Sequence, residues 1–265
     1  MEIVMTAIYF TSRVLYLSLL LFINGAVYSQ QIVGLDNYYN YELKSGVPYH
    51  YTWDDEDNTG FSQLGSIFQE RGAELFTVKG PATEESLRGL DIYIIVDPDT
   101  IPENPAPDYL ESNDIKAIVD WVKEGGVLVL MANDGGQVCE FTHFNQLAME
   151  FDMAFLHGPL NNVKGMKWQM GEEKDLPDHP LFKGLNKIFM KGTANIQVQG
   201  GASVVLSDKD GVLIAENNFG KGYVLAIGDP WLYNEYIDHA RLPVDYENLR
   251  AAHNFCNLLL EKSKQ

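Results

Sequence analysis

Asp91-Ile92-Tyr93-Ile94-Ile95-Val96-Asp97-Pro98-Asp99 and Val127-Leu128-Val129-Leu130-Met131-Ala132-Asn133-Asp134 decide the fold. Each is a short run, apolar at every position, that breaks off in Asp, Asn or Pro. A strand with one wet face alternates polar and apolar residues, whereas a strand apolar throughout is covered on both faces, as in a parallel sheet. Between the two runs, Ser112 is placed to cap a helix carrying Ile115, Ile118, Val119 and Val122 on one face, stopped by Gly125-Gly126. A strand, a crossover helix and a strand make two parallel neighbours.

The same alternation extends outward. On the N-terminal side, residues 31–36 read as a first strand, 61–71 as a helix ended by Gly72, and 74–78 as a second strand. On the C-terminal side the pattern is irregular from about Phe155 to Gln199. Strand-like runs return at 203–206, 212–215 and 223–227, and a helix over 246–262 closes the chain. The fold class expected is α/β: an open, mainly parallel sheet with helices on both faces, flavodoxin-like, in one domain over residues 30–265. That sheet resembles the class I glutamine amidotransferase architecture. The nucleophile of that architecture is a Cys at a sharp strand–helix turn, and Cys139 comes several residues too late to be one. Gly-x-Ser-x-Gly and phosphate-loop patterns are absent.

Residues 1–29 read as a secretory signal peptide. Arg13 precedes the apolar run Val14 to Ile23, and the small residues Val27 and Ser29 precede a cleavage point near Ser29–Gln30. The run is short for a bilayer span, and no later stretch is long enough, so the expected destination is the periplasm or the outside of the cell. The chain has 37 acidic residues against 19 Lys plus Arg, a net charge of −18. Glu2 and Arg13 cancel, so the mature chain keeps that charge. Such acidity argues against a nucleic-acid partner, which demands a basic face. The 46% apolar fraction supports a packed core, and two cysteines cannot staple a chain of this size. Cys139 and Cys256 are left open as a bridge or as two buried thiols.

In an open α/β sheet, ligands bind beyond the carboxyl ends of the strands. Four distant segments gather polar and aromatic residues there. They are Asn37 and Tyr39, continuing to His50, Tyr51 and Trp53; Asp97; Asn133 and Asp134, continuing to Glu140, His143 and Asn145; and Asp229, Trp231, Tyr233 and Asn234, with Arg241 beyond. Aromatics that stack on a pyranose and amides or carboxylates that take its hydroxyls suit a saccharide. His143, three residues after Glu140 on a helix, is the leading acid–base candidate and His50 the second. A Glu140/His143 metal site with Asp97 or Asp229 has no spacing signature, so a metal-free, cofactor-free site is expected. The six lysines from Lys164 to Lys191 read as a solvated surface, with a cationic flap over an anionic sugar as the alternative.

Tyr51-Thr52-Trp53, Val96-Asp97-Pro98-Asp99-Thr100, Met131-Ala132-Asn133-Asp134, Glu140-Phe141-x-His143-Phe144-Asn145 and Gly228-Asp229-Pro230-Trp231-Leu232-Tyr233-Asn234-Glu235-Tyr236 also carry a family likeness. The chain resembles the amidotransferase-like domain of unknown function found beside unsaturated rhamnogalacturonyl and glucuronyl hydrolases in Bacteroidetes. Among stand-alone members, the functional match is the ulvan oligosaccharide dehydratase of marine flavobacteria. The resemblance implies a lyase that removes water from a non-reducing-end glucuronic or iduronic acid. The 4,5-unsaturated uronate formed would pass to an unsaturated glucuronyl hydrolase. In that chemistry His143 is expected as base and Tyr233 or His50 as acid. Asn37, Asn133 and Arg241 would hold the carboxylate, and Trp53 and Trp231 would carry the sugar. The alternative function is a non-catalytic saccharide-binding or accessory module for such a hydrolase.

Overall fold

The computed structural model describes residues 30–133 and 138–265; the signal peptide expected over 1–29 and the candidate Asp134 lie outside the described residues. β1 (Ile32–Asp36) is followed by a hairpin of β2 (Glu42–Lys44) and β3 (Val47–Tyr49), then by α1 (Ser62–Gln69) and β4 (Glu74–Val78). α2 (Glu84–Leu87) leads to β5 (Ile92–Val96), α3 (Ser112–Lys123) to β6 (Val127–Met131), and α4 (Phe141–Met149) to β7 (Met153–Leu160). Next come the two-residue strands β8 (Glu172–Glu173) and β9 (Ile188–Phe189), then β10 (Thr193–Val198), β11 (Ser203–Ser207), β12 (Val212–Phe219) and β13 (Gly222–Ile227). α5 (Asn248–Lys262) ends the fold.

The central sheet has the order β11-β12-β13-β6-β5-β1-β4. The five strands from β13 to β4 are parallel. From β1 the chain moves to β4 on one side and then to β5, β6 and β13 on the other, the doubly wound pattern expected. β12 and β11 extend the sheet antiparallel beyond β13. The sequence marked these last runs as strands, but their direction follows from the tight turn at Gly220, whose φ of +62° favours glycine.

The all-apolar strands bury both faces, with alternate residues going to alternate sides. Val33, Ile94 and Val129 pack with α1 and α5, whereas Tyr93, Ile95, Leu128 and Leu130 pack with α3 and α4. α3 begins one residue earlier than Ser112 implies: Glu111 is the cap, and Asp114 reciprocates by accepting from its N–H at 3.0 Å. The irregular stretch turns out to hold an antiparallel ribbon of β7 and β10 lying over α4, with Phe144 stacked on Phe155 at 5.2 Å. Full burial of Phe144 contributes about 2–3 kcal/mol. Cys139 and Cys256 are both free and buried. No described helix is long and apolar enough to cross a membrane.

Candidate functional site

The carboxyl ends of β1, β5, β6 and β13 carry Asp36, Asp97, Asn133 and Asp229, all buried. The strand pattern makes this inevitable, because each run ends in a polar residue at the same edge of a parallel sheet. Asp36 is consumed by its own loop. Its Oδ2 accepts from the N–H of Tyr39 at 2.9 Å and of Asn40 at 3.1 Å, and its Oδ1 accepts from Tyr93 Oη at 2.8 Å. Burial still pushes its carboxyl up to about 7.

Asp97 sits at the centre of the edge in the left-handed region, φ +41°. Its Oδ1 accepts from Asn133 N at 3.0 Å and its Oδ2 from Tyr51 Oη at 2.9 Å; Tyr51 Oη in turn accepts from Trp231 Nε1 at 3.0 Å. Burial raises the Asp97 carboxyl to about 7, against the pull of those two donors. Asp229 takes the N–H of Lys191 on Oδ2 at 2.7 Å and of Trp231 on Oδ1 at 2.9 Å, and burial lifts it to about 8. Gly228 before it has a packing reason: a Cβ there would stand 2.2 Å from Ala194 O, so only glycine lets β10 cross the end of β13. Where that crossing bridges Asn133 to Thr193, Asn133 Oδ1 and Thr193 Oγ1 are buried with no hydrogen-bond partner among the described residues.

His50 and Tyr51 also adopt left-handed backbone, φ +65° and +50°. Three such non-glycine residues at one edge are strain that the surrounding bonds must hold, a pattern typical of working sites. The hairpin of β2 and β3 sets Glu42 opposite Tyr49, and His50 Nδ1 lies 2.6 Å from Glu42 Oε1. The His50 ring stacks on Tyr51, centroids 4.0 Å apart and planes 16° apart. Burial lowers the imidazole pKa, but Glu42, with smaller help from Asp97 and Glu103, outweighs it, and the net shift is upward. Nε2 is the nitrogen that Glu42 leaves unengaged, and the side chain keeps 22% of its exposure.

The remaining sequence candidates divide. Tyr39 Oη accepts from Ala82 N at 3.0 Å inside the core, Asn37 Nδ2 donates to Asn40 O at 3.1 Å, and Trp53 Nε1 donates to Phe76 O at 3.1 Å while its ring packs on Phe61 and Phe68. Asn145 latches α4 to β7 through both the N–H and the C=O of Phe155. Asn234 Nδ2 donates to Thr59 O at 3.0 Å. Tyr233 is buried in the core, stacked on Phe255 at 4.4 Å, and is no acid for an outside substrate. Arg241 is bonded to Glu235. His143 caps nothing itself: Glu140 accepts from Thr142 N and His143 N, lies 3.2 Å from His143 Nδ1, and the His143 ring stacks on Tyr109 at 4.6 Å. None of these His143 contacts belongs to the Trp231–Tyr51–Asp97 chain.

Two residues that the sequence pattern did not single out for the edge belong to it. Glu42 was signalled only by the Ser45-Gly46 turn, which folds Glu42 back on Tyr49. Lys191, read among surface lysines, has Nζ 3.2 Å from Tyr236 Oη and 4.9 Å from the Trp231 ring centre. Cys139 lies against Asp97; burial first, then that carboxyl, hold its thiol well above the usual range, so a thiolate nucleophile is disfavoured. Among the described residues, no group of three or more His, Cys, Asp or Glu is placed to hold a metal ion.

No family model matches the chain, and no curated protein sequence matches it. Solved structures do. The mmIFT52 N-terminal domain aligns with a TM-score of 0.65 at 16% identity, over 89% of this chain and 98% of that one. The Salmonella typhimurium cytoplasmic protein STM3548 aligns at 0.56 and 16% identity, over 87% and 98%. The cytoplasmic protein STM1381 from Salmonella typhimurium LT2 aligns at 0.58 and 15% identity, over 88% and 99%. At these identities the likeness is one of fold alone, and the fold is the single α/β domain with its mainly parallel sheet.

Proposed function

We propose that the protein is a carbon–oxygen lyase that dehydrates a non-reducing-end uronic acid of an ulvan-type oligosaccharide, with His50 as the proton carrier. The observation that carries the reading is the Glu42–His50 pair at 2.6 Å, held on strained backbone at the ligand-binding edge of the sheet. A carboxylate on Nδ1 fixes the imidazole tautomer and orientation and makes Nε2 a base. His50 Nε2 takes the C5 proton, alpha to the carboxylate. The C–H electron pair becomes the C4=C5 double bond, the C4–O bond breaks, and the imidazolium returns the proton to the departing hydroxide as water. Half-buried Trp231 supplies the aromatic wall. His50 takes over the part first given to His143, because the His50 ring stacks on Tyr51 at 4.0 Å and so joins the Asp97–Tyr51–Trp231 chain, whereas the His143 contacts run to Glu140 and Tyr109 outside that chain. Export through the leader and hand-over of the unsaturated product to a glucuronyl hydrolase belong to the same reading.

A specific observation favours a second reading, a saccharide-binding accessory module. Tyr51, Asp97, Asn133 and Asp229 are at most 3% exposed, and both carboxylates are already engaged by protein donors. Asp97 is held by Asn133 N and Tyr51 Oη and Asp229 by Lys191 N and Trp231 N, which leaves binding without proton transfer as the simpler task of this edge. One assay separates the two. The purified protein is mixed with glucuronate-terminated rhamnose oligosaccharides while the ultraviolet absorbance of the unsaturated uronate is recorded. A rise supports the lyase; binding in calorimetry with flat absorbance overturns it in favour of the module.

A further inference from the structure

We infer that Lys191 is the specificity-determining residue of this edge, the cation that receives an anionic substituent of the saccharide, carboxylate or sulfate ester. The inference deepens the saccharide reading above and rests on it. Arg241, the sequence candidate for this task, has its guanidinium on Glu235, so its charge is already answered. Among the described residues three lysines are half-buried: Lys187, Lys191 and Lys262. Lys187 is shared between Glu172 and Asp245. Lys262 lies at the far end of the sheet, on Asn218 and over the Tyr223 ring. Lys191 stands at the carboxyl end, and no carboxylate lies within ion-pair reach of its Nζ among the described residues.

Its surroundings hold the ammonium without neutralising it. Nζ donates to Tyr236 Oη at 3.2 Å and lies over the rings of Trp231 and Tyr236, at 4.9 Å and 5.6 Å. Aromatic faces attract a cation but do not cancel its charge. The backbone beneath is pinned by the 2.7 Å bond from Lys191 N to Asp229. Burial lifts the Asp229 carboxyl to about 8, which weakens it as a compensating charge near neutral pH. Trp231 then joins the two halves of the site: its ring face carries Lys191 and its Nε1 holds Tyr51, on which the His50 ring stacks. A sugar on Trp231 is thereby read for charge at one end and offered to the imidazole at the other. A cation at this point is also what a carboxylate-stabilised carbanion at C5 requires.

The test is calorimetric binding of three probes to the full protein: a glucuronate–rhamnose oligosaccharide, its sulfated form, and the form with the carboxyl reduced to a neutral alcohol. Lys191→Met is expected to weaken binding of the probe whose anion it holds by about 10- to 100-fold, the range of a charge-assisted hydrogen bond. It is expected to leave the neutral probe unchanged, and Lys191→Arg to restore most of the loss. If the carboxylate is the partner, reducing it equalises wild type and Lys191→Met; if the sulfate is, removing it does. Equal weakening of all three probes, or none, overturns the proposal. Because binding is read without turnover, a protein that binds selectively through Lys191 but produces no unsaturated uronate refutes the lyase chemistry alone.

Discussion

Two histidine–glutamate pairs sit at opposite ends of the central sheet, and their difference shows what makes one a candidate for chemistry. At the carboxyl end, His50 spends one nitrogen on Glu42 at 2.6 Å and, among the described residues, keeps the other, on backbone forced to φ +65°. Near the amino end, where Tyr223 is the second residue of β13, His179 spends both. Its Nε2 lies 3.3 Å from Glu216, which also accepts from Tyr223 Oη at 2.5 Å, and its Nδ1 accepts from Leu181 N to cap a short helical turn over Pro180–Phe182. Both side chains are partly buried, and both face a carboxylate. The pairing alone therefore says little; the unspent nitrogen and the strained, edge-facing backbone separate a reactive group from a structural tie.

The comparison can be broken in three places. The largest effect is expected from His50→Ala, which should lower formation of unsaturated uronate by about 100- to 10,000-fold with the fold intact by circular dichroism. If His143→Ala caused that loss and His50→Ala did not, the assignment would pass to the helix. Glu42→Gln should cost about tenfold in turnover and displace the pH profile. The carboxylate raises the His50 pKa, so its removal leaves the lowering by burial to dominate. The imidazole then stays unprotonated to lower pH, and the acid limb of the profile moves down. A limb that stays put would show that His50 is not the titrating base. The smallest effect belongs to His179→Ala: a loss of about 1–2 kcal/mol in urea unfolding, with turnover unchanged. A matching fall in turnover would erase the distinction between the two pairs.

The same contrast explains how much of the site was legible. Asp97, Asn133 and Asp229 could be placed at one edge from the sequence, because an all-apolar run followed by a polar residue fixes both the strand and its end. Asn145 and Trp53 drew attention for the same residue chemistry, yet Asn145 ties α4 to β7 and Trp53 fills the core beside α1. Amides and indoles serve a saccharide or a neighbouring backbone equally well, and only the packing says which is closer. Glu42 was missed because its partner comes through a hairpin of three-residue strands, too short for a periodicity to announce. Lys191 was legible only as one of six lysines, solvated surface first and cationic flap second, because a lysine in a lysine-bearing stretch reads as surface until Trp231 and Tyr236 are folded around it.

By itself the sequence determined the layering. Strands without polar positions must be covered twice, and the polar residues that end them must share one edge of a parallel sheet. Tertiary structure alone decided which of those polar groups stayed available. It ran β10 across the end of β13, stacked His50 on Tyr51 and turned Tyr233 into the core. The physical reason is range. Burial periodicity is written in neighbouring residues, whereas a hydrogen-bond partner such as Trp231 for Tyr51 is 180 residues away and exists only once the chain has closed.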